Sequence, residues 1–260
     1  MPLATRVIPT LLVRGRQLVK GKAFDSWRSV GHAAQAVRIN QQRGCDELVL
    51  LDIGATPEGR GPDLKLIEEL AEVLFCPLAV GGGVRTVEDV RALLRAGADK
   101  VVIRSEATPY DDFNFVRECA HTVGCQAIVV AVDYKADEVF TGNDVAHPFS
   151  PEQWCKAVFV AGAGEILLTS IEREGAMHGY DLDLIREVSS AVSIPVIAHG
   201  GCGSYRDMLL AVQAGASAVA AGSFFLFTEG TPAGAAKYLA EHGVETRDPN
   251  PAISKEHSSI

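Results

Sequence analysis

The sequence predicts an α/β protein, a single (β/α)8 TIM barrel built from two duplicated half-barrels. Three observations predict it. Short apolar, β-branched runs alternate with helical patterns eight times along the 260 residues. The runs are apolar on both faces, as strands of a parallel sheet covered by helices must be. Third, the chain repeats itself: Gly81-Gly82-Gly83 with Arg95-Ala96-Gly97-Ala98 answers Gly200-Gly201-Cys202-Gly203 with Gln213-Ala214-Gly215-Ala216, an offset of 118 to 119 residues. A doubly wound open sheet would place G-x-G-x-x-G in the first strand-to-helix turn, and none follows Val13.

In chain order, the first strand is expected over 6–13, followed by a helix over 32–43 that Gly44 ends. The second strand, 47–53, repeats as 165–169, with Glu47-Leu48-Val49-Leu50-Leu51-Asp52 answering Glu165-Ile166-Leu167-Leu168-Thr169-Ser170. Helix 63–74, strand 77–80, helix 86–96 before Gly97, strand 100–103 and helix 112–123 before Gly124 complete the first half. The second half reads as strand 127–132, helix 151–161 before Gly162, strand 165–169, helix 181–191, strand 194–198, helix 204–214 before Gly215, strand 218–221 and helix 231–242 before Gly243. No proline- or serine-rich linker divides this body. One barrel domain over 1–243 is expected, with a polar tail over 244–260.

Composition narrows the partners. With 47% hydrophobic and 22% charged residues the chain can bury a large core. No apolar run approaches the roughly 18 residues of a membrane span, and Met1-Pro2-Leu3-Ala4-Thr5-Arg6 has no signal segment, so a cytoplasmic protein that engages no membrane is expected. A net charge of −9 disfavours nucleic acid as a partner. The six cysteines form no CxxC pair and no His-linked metal spacing, so neither a zinc site nor a thioredoxin-like motif is supported; no metal and no cofactor are expected.

In such a barrel the active site lies at the carboxyl ends of the strands. Duplication then predicts two symmetric phosphate sites, one from Gly82, Gly83 and Ser105, the other from Gly200, Gly201, Gly222 and Ser223, because glycine lets backbone N–H groups approach an anion. Together they suit a ligand with a phosphate at each end. Arg104 and His199 stand beside them as candidate cationic donors. Asp133 ends an otherwise apolar strand, where a carboxylate is costly without a task, and general acid or base work fits it; the bland reading is a turn cap. Its counterpart in the first half is Leu12, within one residue of alignment error. At the opposite pole Arg6, Glu47, Lys100 and Glu165 fall at strand starts, where two cations and two anions could form a ring across the axis or merely stabilise the bottom of the barrel.

These residues carry a resemblance. Asp46–Ile53, Val80-Gly81-Gly82-Gly83, Gly97-Ala98-Asp99-Lys100-Val101, Gly179-Tyr180-Asp181 and above all Gly162-Ala163-Gly164-Glu165-Ile166-Leu167-Leu168-Thr169-Ser170-Ile171 make the chain, over roughly residues 5 to 243, similar to the cyclase subunits of imidazole glycerol phosphate synthase. The resemblance implies a heterodimer with a glutaminase at the bottom of the barrel, ammonia passing along the axis, and a phosphorylated small-molecule acceptor at the top. It implies that Arg6, Glu47, Lys100 and Glu165 gate the ammonia path and that Asp99 lies at the glutaminase interface. It makes Asp133 one of two acid–base carboxylates, Lys20 a loop residue closing over substrate, and Gly83, Ser105, Gly201, Gly222 and Ser223 phosphate contacts.

The chain departs from the family where its second catalytic aspartate is expected, at Leu12, and at Thr10, Arg104 and His199; Glu172-Arg173-Glu174-Gly175-Ala176 replaces an Asp-Arg-Asp-Gly-Thr loop, and 136–149 replaces a longer substrate loop. The expectation is a paralogue that keeps the gate and draws ammonia for a different phosphorylated or sugar-nucleotide acceptor, resembling the cyclase-like subunits of amidino-sugar pathways. The alternatives are an authentic histidine-pathway cyclase with a displaced acid, the sister sugar isomerase, disfavoured because it too needs strand-end aspartates in both halves, and a non-catalytic scaffold that activates the glutaminase.

Overall fold

The computed structural model describes residues 4–142 and 145–247 of the chain. The first half-barrel runs β1 (Arg6–Arg14), β2 (Gln17–Lys22), β3 (Asp25–His32), α1 (Ala33–Gln42), β4 (Leu48–Asp52), α2 (Leu64–Ala71), β5 (Leu78–Gly81), α3 (Val87–Arg95), β6 (Lys100–Ile103) and α4 (Asn114–Val123). The second runs β7 (Ile128–Lys135), β8 (Glu138–Thr141), β9 (Val145–His147), α5 (Pro151–Ala161), β10 (Glu165–Ser170), α6 (Leu182–Ala191), β11 (Val196–His199), α7 (Tyr205–Gln213), β12 (Ala218–Ala221), α8 (Ser223–Phe227) and α9 (Pro232–Glu241). β1, β4, β5, β6, β7, β10, β11 and β12 pair in parallel in that order, and β12 pairs back with β1. The sheet closes on itself as the expected barrel, with no exposed edge among its staves.

The helices start where local chemistry supplies a partner for orphan N–H groups. Asp63 and Asp181 accept from the Leu66 and Leu184 N–H groups, and Thr86 and Ser204 accept from Asp89 and Asp207. Each pair of caps is one residue type of chemistry repeated at the same offset, so the duplication extends to helix initiation. Two apolar layers result. One fills the space between staves and helices, with Trp154, Leu70 and Leu93 fully buried. The other lines the barrel axis with Ile8, Val49, Val102, Val129, Leu167 and Ile197 among small residues such as Ala79 and Ala220.

The structure adds two hairpins that the eight-strand reading omits. β2 and β3 extend from β1 as an antiparallel ribbon, and β8 and β9 extend likewise from β7. They stand in corresponding places of the two halves, at the carboxyl end of the first strand of each. β3 is polar and largely exposed, so it carries no apolar alternation to betray it. Of the expected tail, residues 244–247 lie against the barrel: the Thr5 N–H donates to the Glu245 carbonyl at 2.7 Å, and Thr246 bridges Thr5. The remainder, 248–260, lies outside the described residues, as do Asn143 and Asp144 within the 136–149 segment. Among the described residues no helix is long and apolar enough to cross a membrane.

Candidate active site and axial ion ring

Strand registers fix the symmetry that matters at the mouth. Val102 pairs with Val129 as Ala220 pairs with Ile8, and Thr169 pairs with Asp133 as Leu51 pairs with Leu12. Both relations set Leu12 in the place that Asp133 holds in the other half. Leu12 and Asp133 line the same cavity, of about 230 Å³, at the carboxyl ends of the staves. Leu12 is buried and has no proton to exchange.

Asp133 is also buried, and its Oδ2 is 2.5 Å from the Arg104 Nε. The Arg104 guanidinium in turn lies over the Phe24 ring, 5.6 Å from its centroid, so the carboxylate, the cation and the turn joining β2 to β3 form one stack. Arg104 therefore acts on Asp133, whereas the sequence offered it as a phosphate donor. Asp52, which the sequence reading passed over, is the other carboxylate lining this cavity. Its Oδ1 accepts from the Gly54 and Ala55 N–H groups at 2.9 and 3.2 Å, and its Oδ2 takes Arg60 at 3.1 Å. The rule that found Asp133, a polar residue ending an apolar strand, could have found Asp52 as well.

Gly82, Gly83 and Ser105 line this same cavity and Gly142 closes against Ser105, so the first glycine cradle opens onto the cavity that holds Asp133. A Cβ on Gly82, at φ +114°, would lie inside 3.0 Å of the Asp52 carbonyl oxygen, and one on Gly200, at φ +86°, inside 3.0 Å of that of Ser170. The chain must be glycine at both places for its own packing, whatever it binds.

The second pole differs. Gly200, Gly201, Gly222 and Ser223 come together with Glu174 and His199 around a space of only about 10 Å³. Lys20, on β2, reaches it from the hairpin and pairs with Glu174; both side chains are nine-tenths buried or more. The Ala23 N–H donates to the Glu174 carbonyl at 2.9 Å, so hairpin and loop are joined through backbone and side chain alike. His199 shares a hydrogen bond of 3.2 Å with the Thr169 hydroxyl through Nδ1. Burial, reinforced by Lys20, pushes its pKa down to about 3, so His199 is a neutral imidazole and not the cationic donor the sequence suggested.

At the opposite end the four charged residues do meet. Arg6 Nη1 lies 2.6 Å from Glu47 Oε2 and 3.0 Å from Glu165 Oε1, and Lys100 Nζ lies 2.9 Å from Glu47 and 3.0 Å from Glu165. Taken round the barrel from β1 through β4 and β6 to β10, the signs alternate and the ring is closed. Burial works against the Arg6 charge, but Glu47 and Glu165 more than offset it and hold the guanidinium above its ordinary value. Asp99 sits exposed at this end, its Oδ2 accepting from the Leu78 N–H at 2.8 Å. Cys45 and Cys76, apart in sequence, bring their sulfurs to 3.4 Å beside the ring's strands.

Fold and site define a (β/α)8-barrel synthase subunit, with a cavity at the mouth lined by Asp52, Asp133, Arg14 and Arg104 and an ion ring closing the far end of the axis. A family model described as "Histidine biosynthesis protein" matches residues 6–231, and the chain belongs to that family. It is 47% identical over 251 residues to the imidazole glycerol phosphate synthase subunit HisF of Hyphomonas neptunium, and 43% identical over 251 residues to that of Dictyoglomus thermophilum. Each comparison covers 94% of this chain and 99% of the relative. The chain is thus an enzyme subunit of the imidazole glycerol phosphate synthase type.

Proposed function

We propose that this subunit receives ammonia from a glutaminase docked at the bottom of the barrel, conducts it past the ring of Arg6, Glu47, Lys100 and Glu165, and adds it to a phosphorylated acceptor at the mouth. The observation that carries the reading is the ring: a closed, alternating set of four charges at the far end of the axis from the cavity that holds Asp133. Asp133 exchanges the proton as the acceptor is attacked, Arg104 holds its carboxylate in place, and Gly82, Gly83 and Ser105 hold the acceptor's phosphate. Asp99 belongs to the face that meets the glutaminase. In the reconstituted complex Lys100→Ala releases ammonia to solvent, so that glutamate forms without a matching amount of aminated acceptor; unchanged coupling rules the conduit out.

The names of the relatives support formation of imidazole glycerol phosphate, in histidine biosynthesis, as the reaction at the mouth, more directly than any other acceptor. Asp52 supports the same reading as a second carboxylate in the cavity. Leu12 favours a second reading, a different acceptor, because the place equivalent to Asp133 cannot take part in proton transfer. Supplying the purified subunit with ammonium and the synthase's ribonucleotide substrate separates them. Robust formation of imidazole glycerol phosphate supports the histidine-pathway reading; its absence, with coupling to the glutaminase intact, supports the second.

A further inference from the structure

We infer that Cys45 and Cys76 form a thiol-oxidation site: a hydroperoxide closes the pair to a disulfide that latches together two strand starts beside the ion ring, and a dithiol reductant opens it again. Cys45 lies three residues before β4 and Cys76 two before β5, and these staves are neighbours, with Leu48 in register with Leu78. Both cysteines are half-buried and free, and their sulfurs stand 3.4 Å apart. The segments that carry them are already joined on either side of the sulfurs. The Phe75 N–H donates to Gln41 Oε1 at 2.6 Å, and the Leu48 N–H to the Pro77 carbonyl at 2.9 Å. A disulfide needs a sulfur separation of about 2.05 Å, so the pair has only about 1.4 Å to close, between segments that hydrogen bonds hold in place. Of the remaining cysteines, Cys119, Cys155 and Cys202 are buried, and Cys125 lies exposed just after α4.

The order of events follows from the pair itself. The hydrogen bond it shares with Cys76, together with burial, pushes the Cys45 thiol up and keeps it protonated, so Cys76 makes the first attack. Its sulfur forms a bond to one peroxide oxygen as the O–O bond breaks; the other oxygen leaves as water with the thiol proton, and Cys76 becomes a sulfenic acid. The Cys45 sulfur then attacks that sulfur: the S–S bond forms, the S–O bond breaks, and the hydroxyl leaves with the Cys45 proton as a second water. Two thiols and one hydrogen peroxide thus give one disulfide and two waters, and exchange with a dithiol reverses the step. The latch lies close to the ring. Glu47, two residues beyond Cys45, holds Arg6 at 2.6 Å and Lys100 at 2.9 Å, and Asp46 between them accepts from the Val7 N–H at 2.9 Å. Leu78, two residues beyond Cys76, donates to Asp99 at 2.8 Å. A bond between the sulfurs ties the strand start that carries Glu47 to its neighbour and removes freedom from both segments.

Hydrogen peroxide added to the intact, reduced chain tests the site, with peptide mapping by mass spectrometry and amide hydrogen exchange as the two readouts. The wild type is expected to lose two hydrogens and to yield one linked peptide pair joining Cys45 to Cys76, and dithiothreitol is expected to restore the free thiols. In the oxidised chain the amides of residues 43–48 and 75–78 are expected to exchange more slowly than in the reduced chain, and to return to the original rate after reduction. Cys45→Ser is expected to form no link and to leave a sulfenic acid on Cys76 that dimedone traps; Cys76→Ser is expected to form no link and to leave Cys45 unlabelled. If either serine variant is poorly folded, the linked peptide and the exchange rates of the wild type decide the matter alone. No Cys45–Cys76 link, a link from either of them to Cys125 in its place, dimedone on Cys45 but not on Cys76 across the two variants, or a link that leaves exchange unchanged overturns the proposal. The test involves neither glutamine nor an acceptor, so it fails or succeeds independently of the conduit.

Discussion

Leu12 and Asp133 stand at equivalent places in the two halves and differ in the one property that acid–base chemistry requires. Asp133→Asn keeps the shape and removes the ionisation, and is expected to lower acceptor amination by roughly 10²–10⁴ while glutamine hydrolysis in the complex stays near wild type; unchanged amination would leave only the scaffold reading. His199 gives a second prediction at this scale. Its folded pKa is depressed to about 3 from the ordinary 6.5, so between those values the unfolded chain binds the extra proton, and stability falls as pH falls through that window. His199→Gln is expected to flatten the acid limb by up to about 1.4 kcal/mol per pH unit between pH 6.5 and 3, measured by urea unfolding at several pH values; an unchanged limb means the imidazole is not buried neutral. Asp133 was legible in the sequence because it interrupts an apolar run. The Lys20–Glu174 pair was not, because 154 residues separate its members and neither sits in a pattern that names the other.

The element that distinguishes the mouth is the β2–β3 hairpin, fastened by Lys20 to the loop after β10 and by Phe24 to Arg104. Removing one partner of a buried ion pair strands the other charge, at a cost of about 3–5 kcal/mol, whereas replacing both with apolar residues of similar size is often neutral. Lys20→Met alone is therefore expected to lower stability or free the hairpin amides for hydrogen exchange, and Lys20→Met with Glu174→Leu to recover most of the loss. Equal losses in single and double variants would contradict the fastening. The eight staves were legible because each is apolar on both faces and stops at a glycine or polar turn. The hairpins were not: β2 and β3 project from the barrel, with polar residues exposed along β3, and nothing in their composition separates them from a loop.

At the scale of the whole molecule, duplication made the barrel readable and also limited the reading. Repetition of the glycine pairs suggested two equal anion sites, yet glycine is demanded at both by the close approach of neighbouring strands, and the half-barrels then diverge through side chains outside the repeat, Arg104 and Ser105 at one pole, Glu174 and Lys20 at the other. The ring at the bottom was legible as four charges at strand starts; that they close into one circuit follows only from the strand order. The most direct test of the conduit gives the reconstituted complex ¹⁵N-amide glutamine together with excess unlabelled ammonium and reads the label in the aminated acceptor. The wild type is expected to deliver mainly ¹⁵N, and Lys100→Ala or Lys100→Met mainly the unlabelled nitrogen of the solvent; equal label in wild type and variants would contradict passage of ammonia through the ring.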